Sequence, residues 1–246
     1  MSVRFWQERL YKVPLSRDPV SRFYRTLDGY VRTSLWVLDV GAGPGEENPY
    51  ALRDRVRKLI GIDRDPRVES NPLLYAGLIA DGGSLPFKDD SFDVAFSIYV
   101  LENIVAPRAL ASELRRILRP VRLFLALTPS RFHYVSLIAS FTPTRFHRWI
   151  NNRRARKDQD TSPIHYRLKS RRQLQTHFRD KGFGIVEFDQ FEVQPNYLLF
   201  STPTYLLGAL YERIANACDW LASLRVNFTR ILGNTKSGQV ASGCSC

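Results

Sequence analysis

Cysteine and methionine are scarce in this chain of 246 residues, at three and one respectively. Cys218, Cys244 and Cys246 form no CxxC pair, which removes a disulfide framework and a cysteine-rich metal site from consideration. A reducing compartment is therefore expected, and no metal site is expected. No run of about 18 apolar residues occurs, so no spanning helix is expected. The first ten residues carry Arg4, Glu8 and Arg9 without an apolar stretch and do not read as a secretory signal. No internal repeat or long linker breaks the chain.

Acidic residues are also few relative to basic ones. The chain holds 36 Lys and Arg against 24 Asp and Glu, a formal charge of +12, with a pI near 9.9. Such a balance raises nucleic acid or an anionic membrane as partners. The excess is local, however. Residues 37–130 sum to −1, whereas residues 131–181 hold 13 basic and 3 acidic side chains, or +10. All four histidines (His133, His147, His165 and His177) lie in that second stretch. The charge belongs to one segment, and the hydrophobic fraction of 44% marks the whole as a folded globular chain.

Residues 1–34 read as a helical lead-in. Short apolar runs then alternate with helical patterns: Leu35–Val40, Leu59–Asp63, Gly77–Asp81, Phe92–Tyr99 and Arg122–Thr128. The runs lack polar alternation, as strands covered on both faces do, so a parallel α/β sheet is expected over 35–130. Before the last run, Ala106, Leu110, Leu114, Ile117 and Leu118 share one helical face, with Pro120 as the stop. Residues 131–169 show no sustained period. A capping box at Ser170–Gln173 opens a helix with Gly182 past its end, Ile185–Phe191 alternates like a strand, and Leu206, Leu210, Ile214, Ala217, Leu221 and Leu224 line one face of a long helix. The expected units are thus 1–34, 35–130, a basic insertion at 131–169, a completion of the sheet at 170–232, and a polar tail at 233–246.

Three motifs carry chemistry. Val37-Leu38-Asp39-Val40-Gly41-Ala42-Gly43-Pro44-Gly45 runs a strand into a glycine turn, where backbone must bend sharply and approach a ligand. Glu46-Glu47 follows; two carboxylates there disfavour a phosphate cradle, and no Gly-Lys-Ser/Thr follows to make a P-loop. Gly61-Ile62-Asp63 ends the next strand, where an acid can accept both hydroxyls of a ribose; an N-cap role is the alternative, better suited to Asp65. Asp81-Gly82-Gly83 closes the third strand, where a carboxylate can accept from an adenine amine.

Taken together, these motifs resemble class I S-adenosylmethionine-dependent methyltransferases, in particular the bacterial type-11 methyltransferase domain, over about residues 35–130. The resemblance implies a doubly wound Rossmann-like sheet, mostly parallel, of seven strands with the last antiparallel, and an inserted lid. It implies S-adenosyl-L-methionine as cofactor. Gly41, Ala42, Gly43 and Gly45 would wrap its amino-acid end with Asp39 in support. Asp63, followed by Arg64, would hold the ribose, Asp81 and Gly82 the adenine, and Ser97, at the end of the fourth strand, would be a further cofactor contact. Ser97–Asn103 and Glu113–Pro120 match the family's fourth strand end and the helix before its fifth. Two departures stand out: Asn103 replaces a usual His, and Pro120-Val121-Arg122 lacks the usual two glycines, on the far side of the sheet, where a fold cost rather than lost activity is expected.

For methyl transfer the protein aligns the acceptor and excludes water, and a base is needed only where the acceptor loses a proton. His133, shortly after the fifth strand, Tyr134, and His165 in the insertion are the candidates for catalytic contact. The fourth strand is followed by Ser97-Ile98-Tyr99-Val100, not the Asn/Asp-Pro-Pro-aromatic motif of amino-directed nucleic-acid enzymes, and no RNA module is attached. The insertion's charge is mostly Arg, which favours phosphate or carboxylate, interleaved with aromatics. The expected reaction is methylation at O or C of a small-molecule or lipid- or saccharide-linked, anionic acceptor, in a cytoplasmic protein with possible peripheral contact to an anionic membrane through 131–169. An RNA methyltransferase, and a silent cofactor-binding scaffold, are the alternatives.

Overall fold

The computed structural model describes residues 2–10, 19–45, 51–129, 171–191, 201–217, 225 and 227–234. Helices α1 (Val3–Leu10) and α2 (Pro19–Asp28) precede strands β1 (Trp36–Val40), β2 (Lys58–Asp63), β3 (Ala76–Ile79) and β4 (Phe92–Ile98). Helix α3 (Pro107–Ile117), β5 (Leu118–Pro129), α4 (Arg171–Arg179), β6 (Phe183–Phe191), α5 (Thr202–Ala217) and β7 (Asn227–Asn234) follow. The insertion 131–169 and the tail from residue 235 lie outside the described residues, as does the capping serine before α4.

One sheet takes all seven strands in the order β3-β2-β1-β4-β5-β7-β6. Strands β1 to β5 pair in parallel, and β7 runs antiparallel to both β5 and β6. This is the expected mostly parallel Rossmann-like arrangement with its antiparallel last strand. The order reverses at β1, between β2 and β4, so the carboxyl ends of β1 and β4 open a crevice where open α/β folds hold ligands.

The inner strands read as unbroken apolar runs because both sheet faces are covered there, while the edge strand β3 is partly exposed. On one face Leu38, Val40, Ile60, Ala95 and Ala126 pack with Leu110, Leu114 and Ile117 of α3 and Phe178 of α4. On the other, Val37, Leu59, Val94, Phe96 and Leu125 pack with Phe23, Tyr24 and Leu27 of α2. Each fully buried side chain of this size is worth about 1.5–3 kcal/mol, so the double cover supplies most of the fold's cohesion. Helix α3 starts on Pro107, whose missing N–H is not needed in a first turn, and it buries the face that the sequence pattern marked.

Three boundaries differ from the sequence reading. Pro120 does not stop α3. The helix ends at Ile117 and β5 begins at Leu118, so Pro120 sits inside β5, where the register slips between Phe92↔Leu118 and Val94↔Leu123. A bulge tolerates a proline because it needs no ladder N–H there. Second, the apolar stripe expected to bury α5 is largely left outward: Leu210 and Ile214 are 55% and 51% exposed and Leu206 is half-buried. Helix α5 packs instead through Tyr205 and Ala209 onto Val3, Trp6 and Leu10 of α1, apart from the two sheet cores. Tyr205, fully buried, fills this contact. Leu221 and Leu224 lie outside the described residues. Third, β7 extends to Asn234, past the residue where the tail was expected to begin.

Val121 stands where the resemblance expects glycine, and its φ is +61°. The left-handed region costs an L-residue about 1–2 kcal/mol, while glycine's extra chain entropy costs about 0.5–1 kcal/mol. Val121→Gly should therefore raise unfolding stability by up to about 1 kcal/mol in chemical denaturation; a loss of stability would show that the position carries no strain.

Candidate functional site

The site grows from the end of β1. Gly41 and Ala42 both donate their backbone N–H to the carbonyl of Ile62, at 2.8 and 3.1 Å, which folds the loop across the end of β2. Gly41 has φ +83°, and a Cβ there would run into the Val100 side chain, so only glycine fits. Gly43, at φ +55°, has nothing within 4 Å of where its Cβ would stand. A Cβ at Gly45 would meet Asn71. The loop is thus packed at both ends and faces open space in the middle, the shape of a cradle.

Two side chains hold this loop. Asp63, at the end of β2, accepts the Gly43 N–H at 2.9 Å through one carboxylate oxygen and the Asp65 N–H at 2.9 Å through the other. Each oxygen keeps a further lone pair for a ligand hydroxyl. Asp65, not Asp63, caps the short turn Pro66–Ser70 by accepting from the Arg67 N–H, as the N-cap alternative had it. Asn71 donates its side-chain amide to the carbonyls of Gly43, at 2.9 Å, and Ala42, at 3.3 Å, and accepts from the Leu73 N–H. Its Asn-Pro context reads in the sequence only as a turn, and nothing there marks it as a partner of a loop 28 residues away.

Asp39 lies between Leu38 and Val40, which belong to the α3-side core, so strand alternation sends it to the α2 side with Asp63. Its carboxyl is nearly buried and is pushed up to about 8, first by burial and second by the charge of Asp63. Buried, and with no backbone N–H donor to its carboxylate among the described residues, Asp39 is the group that keeps its proton near neutral pH. Asp81, just past β3, accepts from the Gly83 N–H at 2.8 Å and stays exposed, with the Arg64 guanidinium 3.8 Å away. Gly82 backs onto Leu110 of α3.

Ser97 is fully buried on the opposite, α3 side of the sheet, in one row with Ala126 and the fully buried Arg230. It is not brought together with Asp39 and Asp63. Around it the structure adds residues that sequence reasoning did not select. Tyr99 has φ +57°, a strained conformation for a non-glycine, and aims the next residue, Val100, at Gly41. Glu102 is buried and accepts from the Thr128 hydroxyl at 3.2 Å at the ends of β4 and β5. His133, Tyr134 and His165 lie outside the described residues. Among the described residues no cluster of His, Cys, Asp or Glu is arranged to hold a metal ion, and no helix is long and apolar enough to cross a membrane.

The loop's dependence on Asn71 is testable. Asn71→Ala leaves two carbonyls without their donor and should cost about 1–3 kcal/mol of stability, with faster hydrogen exchange at the Gly43 amide. Unchanged exchange there would show that Asn71 does not hold the loop.

Comparison with known proteins bears directly on this edge of the sheet. Residues 38–125 match the family profile described as a methyltransferase domain. An uncharacterized methyltransferase of Mycobacterium sp. (strain JLS) is 41% identical over 88 residues, 34% of each chain. One from Mycobacteroides abscessus is 32% identical over 163 residues, 59% of this chain and 62% of that protein. The chain thus spans between about one third and three fifths of the length of these relatives. Among solved structures, a chain of the complex between the Haloferax volcanii Trm112 methyltransferase activator and a methyltransferase is 19% identical with a TM-score of 0.60, covering 95% of this chain and 96% of that one. Geranyl diphosphate C-methyltransferase from Streptomyces coelicolor, solved with S-adenosyl-L-homocysteine, is 14% identical with a TM-score of 0.56, covering 89% and 82%. At these identities the structures share the fold. Residues 38–125, the stretch similar to the methyltransferase domain, contain Asp39, the glycine loop, Asp63 and Asp81.

Proposed function

We propose that this chain is an S-adenosyl-L-methionine-dependent methyltransferase acting at O or C of an anionic small-molecule or lipid- or saccharide-linked acceptor. The observation that carries the cofactor part is the cradle itself: a loop open at Gly43, with Asp39 and Asp63 converging beneath it. Those residues fit the cofactor. Asp39, a nearly buried carboxyl with little hydrogen bonding of its own, matches an ammonium group. Asp63 keeps free lone pairs for ribose hydroxyls, and Asp81 is an exposed acceptor for an adenine amine. When bound, the cofactor supplies a methyl group on a sulfonium, already activated for transfer.

The chain's own work is then to orient and to exclude water. Val100, pressed against Gly41, fixes the loop from the β4 side. Glu102, held by Thr128 at the same edge, presents a carboxylate near the mouth of the crevice. The acceptor part rests on the +10 segment 131–181, rich in Arg and aromatics, which suits phosphate or carboxylate groups and an anionic membrane surface. His133, Tyr134 and His165 remain the proposed contacts to the acceptor.

Asp63→Ala should weaken calorimetric binding of S-adenosyl-L-homocysteine by about tenfold or more; no binding by the wild type would contradict the reading. Asp39 adds a pH signature. Folded Asp39 keeps its proton to about pH 8, whereas unfolded it ionises near 3.8, so this group withdraws stability as pH rises from about 4 to about 8. An ammonium beside it favours the ionised form, so binding near pH 7 should release a proton. Calorimetry in buffers of different ionisation enthalpy should detect that proton in the wild type and not in Asp39→Asn, which should also flatten the stability profile.

A further inference from the structure

The loop from Asp81 to Asp90 is held by a group of side-chain contacts that cofactor binding, as described so far, does not use. Glu113, on α3, accepts the Leu85 N–H at 2.7 Å. Arg116, one turn on, donates to the Leu85 carbonyl at 3.0 Å and to the Phe87 carbonyl at 2.6 Å. The two side chains also bind each other twice, at 2.9 and 2.7 Å, and Arg116 reaches Asp89 at 2.9 Å. Both polar ends of Leu85 are therefore tied to one rigid helix. Glu113 is 19% exposed and Arg116 31%, and the guanidinium holds the Glu113 carboxyl below the usual range. This is a partly buried, bidentate arrangement, unlike a surface ion pair.

Four residues before Leu85 stands Asp81. Its carbonyl accepts the Ser84 N–H at 3.0 Å and its carboxylate the Gly83 N–H at 2.8 Å. The turn backs directly onto α3: a Cβ on Gly82 would stand 3.1 Å from Leu110, and one on Gly83 3.3 Å from Ala109. Asp81 is thus aimed by a short, tightly bonded chain whose far end is gripped by Glu113 and Arg116. The glycine loop has its own side-chain anchors, Asp63 at the end of β2 and Asn71 after it.

We propose that Glu113 and Arg116 are positioning residues that aim Asp81, and so set the enzyme's selectivity for the adenine end of its cofactor, independently of the anchors that hold the amino-acid end. This rests on the cofactor reading above. Cutting the clamp should loosen the 81–87 turn while leaving the glycine loop in place. The loss should therefore fall on recognition of the 6-amino group.

The test compares S-adenosyl-L-homocysteine with S-inosyl-L-homocysteine, whose base carries a carbonyl in place of the amine. Wild type should prefer the adenine compound, because Asp81 accepts from an amine and repels a carbonyl. Glu113→Gln and Arg116→Lys should each reduce that preference by about tenfold, since lysine cannot serve both carbonyls and the carboxylate at once. Arg22→Ala, which removes an exposed pair with Asp189, should leave it unchanged. Should either clamp variant fold poorly, hydrogen exchange at the Leu85 and Gly83 amides in Asp89→Ala, which loses one contact to Arg116, provides the second readout and should be faster than in wild type. A purely structural role would lower the melting temperature without changing the ratio of the two affinities. An unchanged ratio in folded variants overturns the clamp alone; failure of wild type to bind either compound overturns the cofactor reading with it.

Discussion

The Asp63 carboxylate, fixed at the end of β2, holds the site together. It binds the Gly43 N–H with one oxygen and the Asp65 N–H with the other, and so joins the glycine loop to the turn after β2. A loop of three glycines in five residues has little conformational preference of its own, and its order must be imposed from outside. The Ile62 carbonyl, Asp63 and Asn71 impose it. The parallel sheet makes this possible, because pairing of β1 with β2 brings the ends of both strands to the same edge. Beneath the loop, burial first and the neighbouring Asp63 charge second push the Asp39 carboxyl up to about 8.

Much of the fold was legible in the sequence. Of the five apolar runs of residues 35–130, those of β1, β2, β4 and the second half of β5 are covered on both faces, as their lack of alternation says, whereas β3 is an edge strand with Ile79 exposed. Asp39, Gly41, Gly43, Asp63 and Asp81 stood out because strand ends that carry acid or glycine have few structural uses. The strand Asn227–Asn234 did not stand out: Asn227, Thr229, Arg230 and Gly233 break any apolar pattern, and only its place between β5 and β6 makes it a strand. Asn71 and Thr128 were illegible for a related reason, since their roles come from partners distant in sequence. The stripe on α5 misled because periodicity reveals that a helix has an apolar face, and it does not reveal whether a smaller face packs better. Here Tyr205 and Ala209 meet α1, and Leu210 and Ile214 of the stripe are left outside.

The molecule separates its tasks spatially. Cohesion comes from two apolar layers on the sheet, and the polar groups proposed for recognition line its carboxyl edge. The two meet at α3, whose apolar face seals one core while Glu113 and Arg116 reach over to the β3–β4 loop. The Val121 strain sits on the opposite edge, where the sheet can absorb it without disturbing the crevice.

The central claim is that the edge formed by the glycine loop, Asp63 and the Asp81 turn is one preorganised binding surface. Hydrogen exchange of the full chain, with and without S-adenosyl-L-homocysteine, tests it most directly. Slowed exchange in both residues 39–45 and 81–87, and little change on β6 and β7, is the predicted result. Exchange that is unaltered at both segments by saturating ligand would contradict the account.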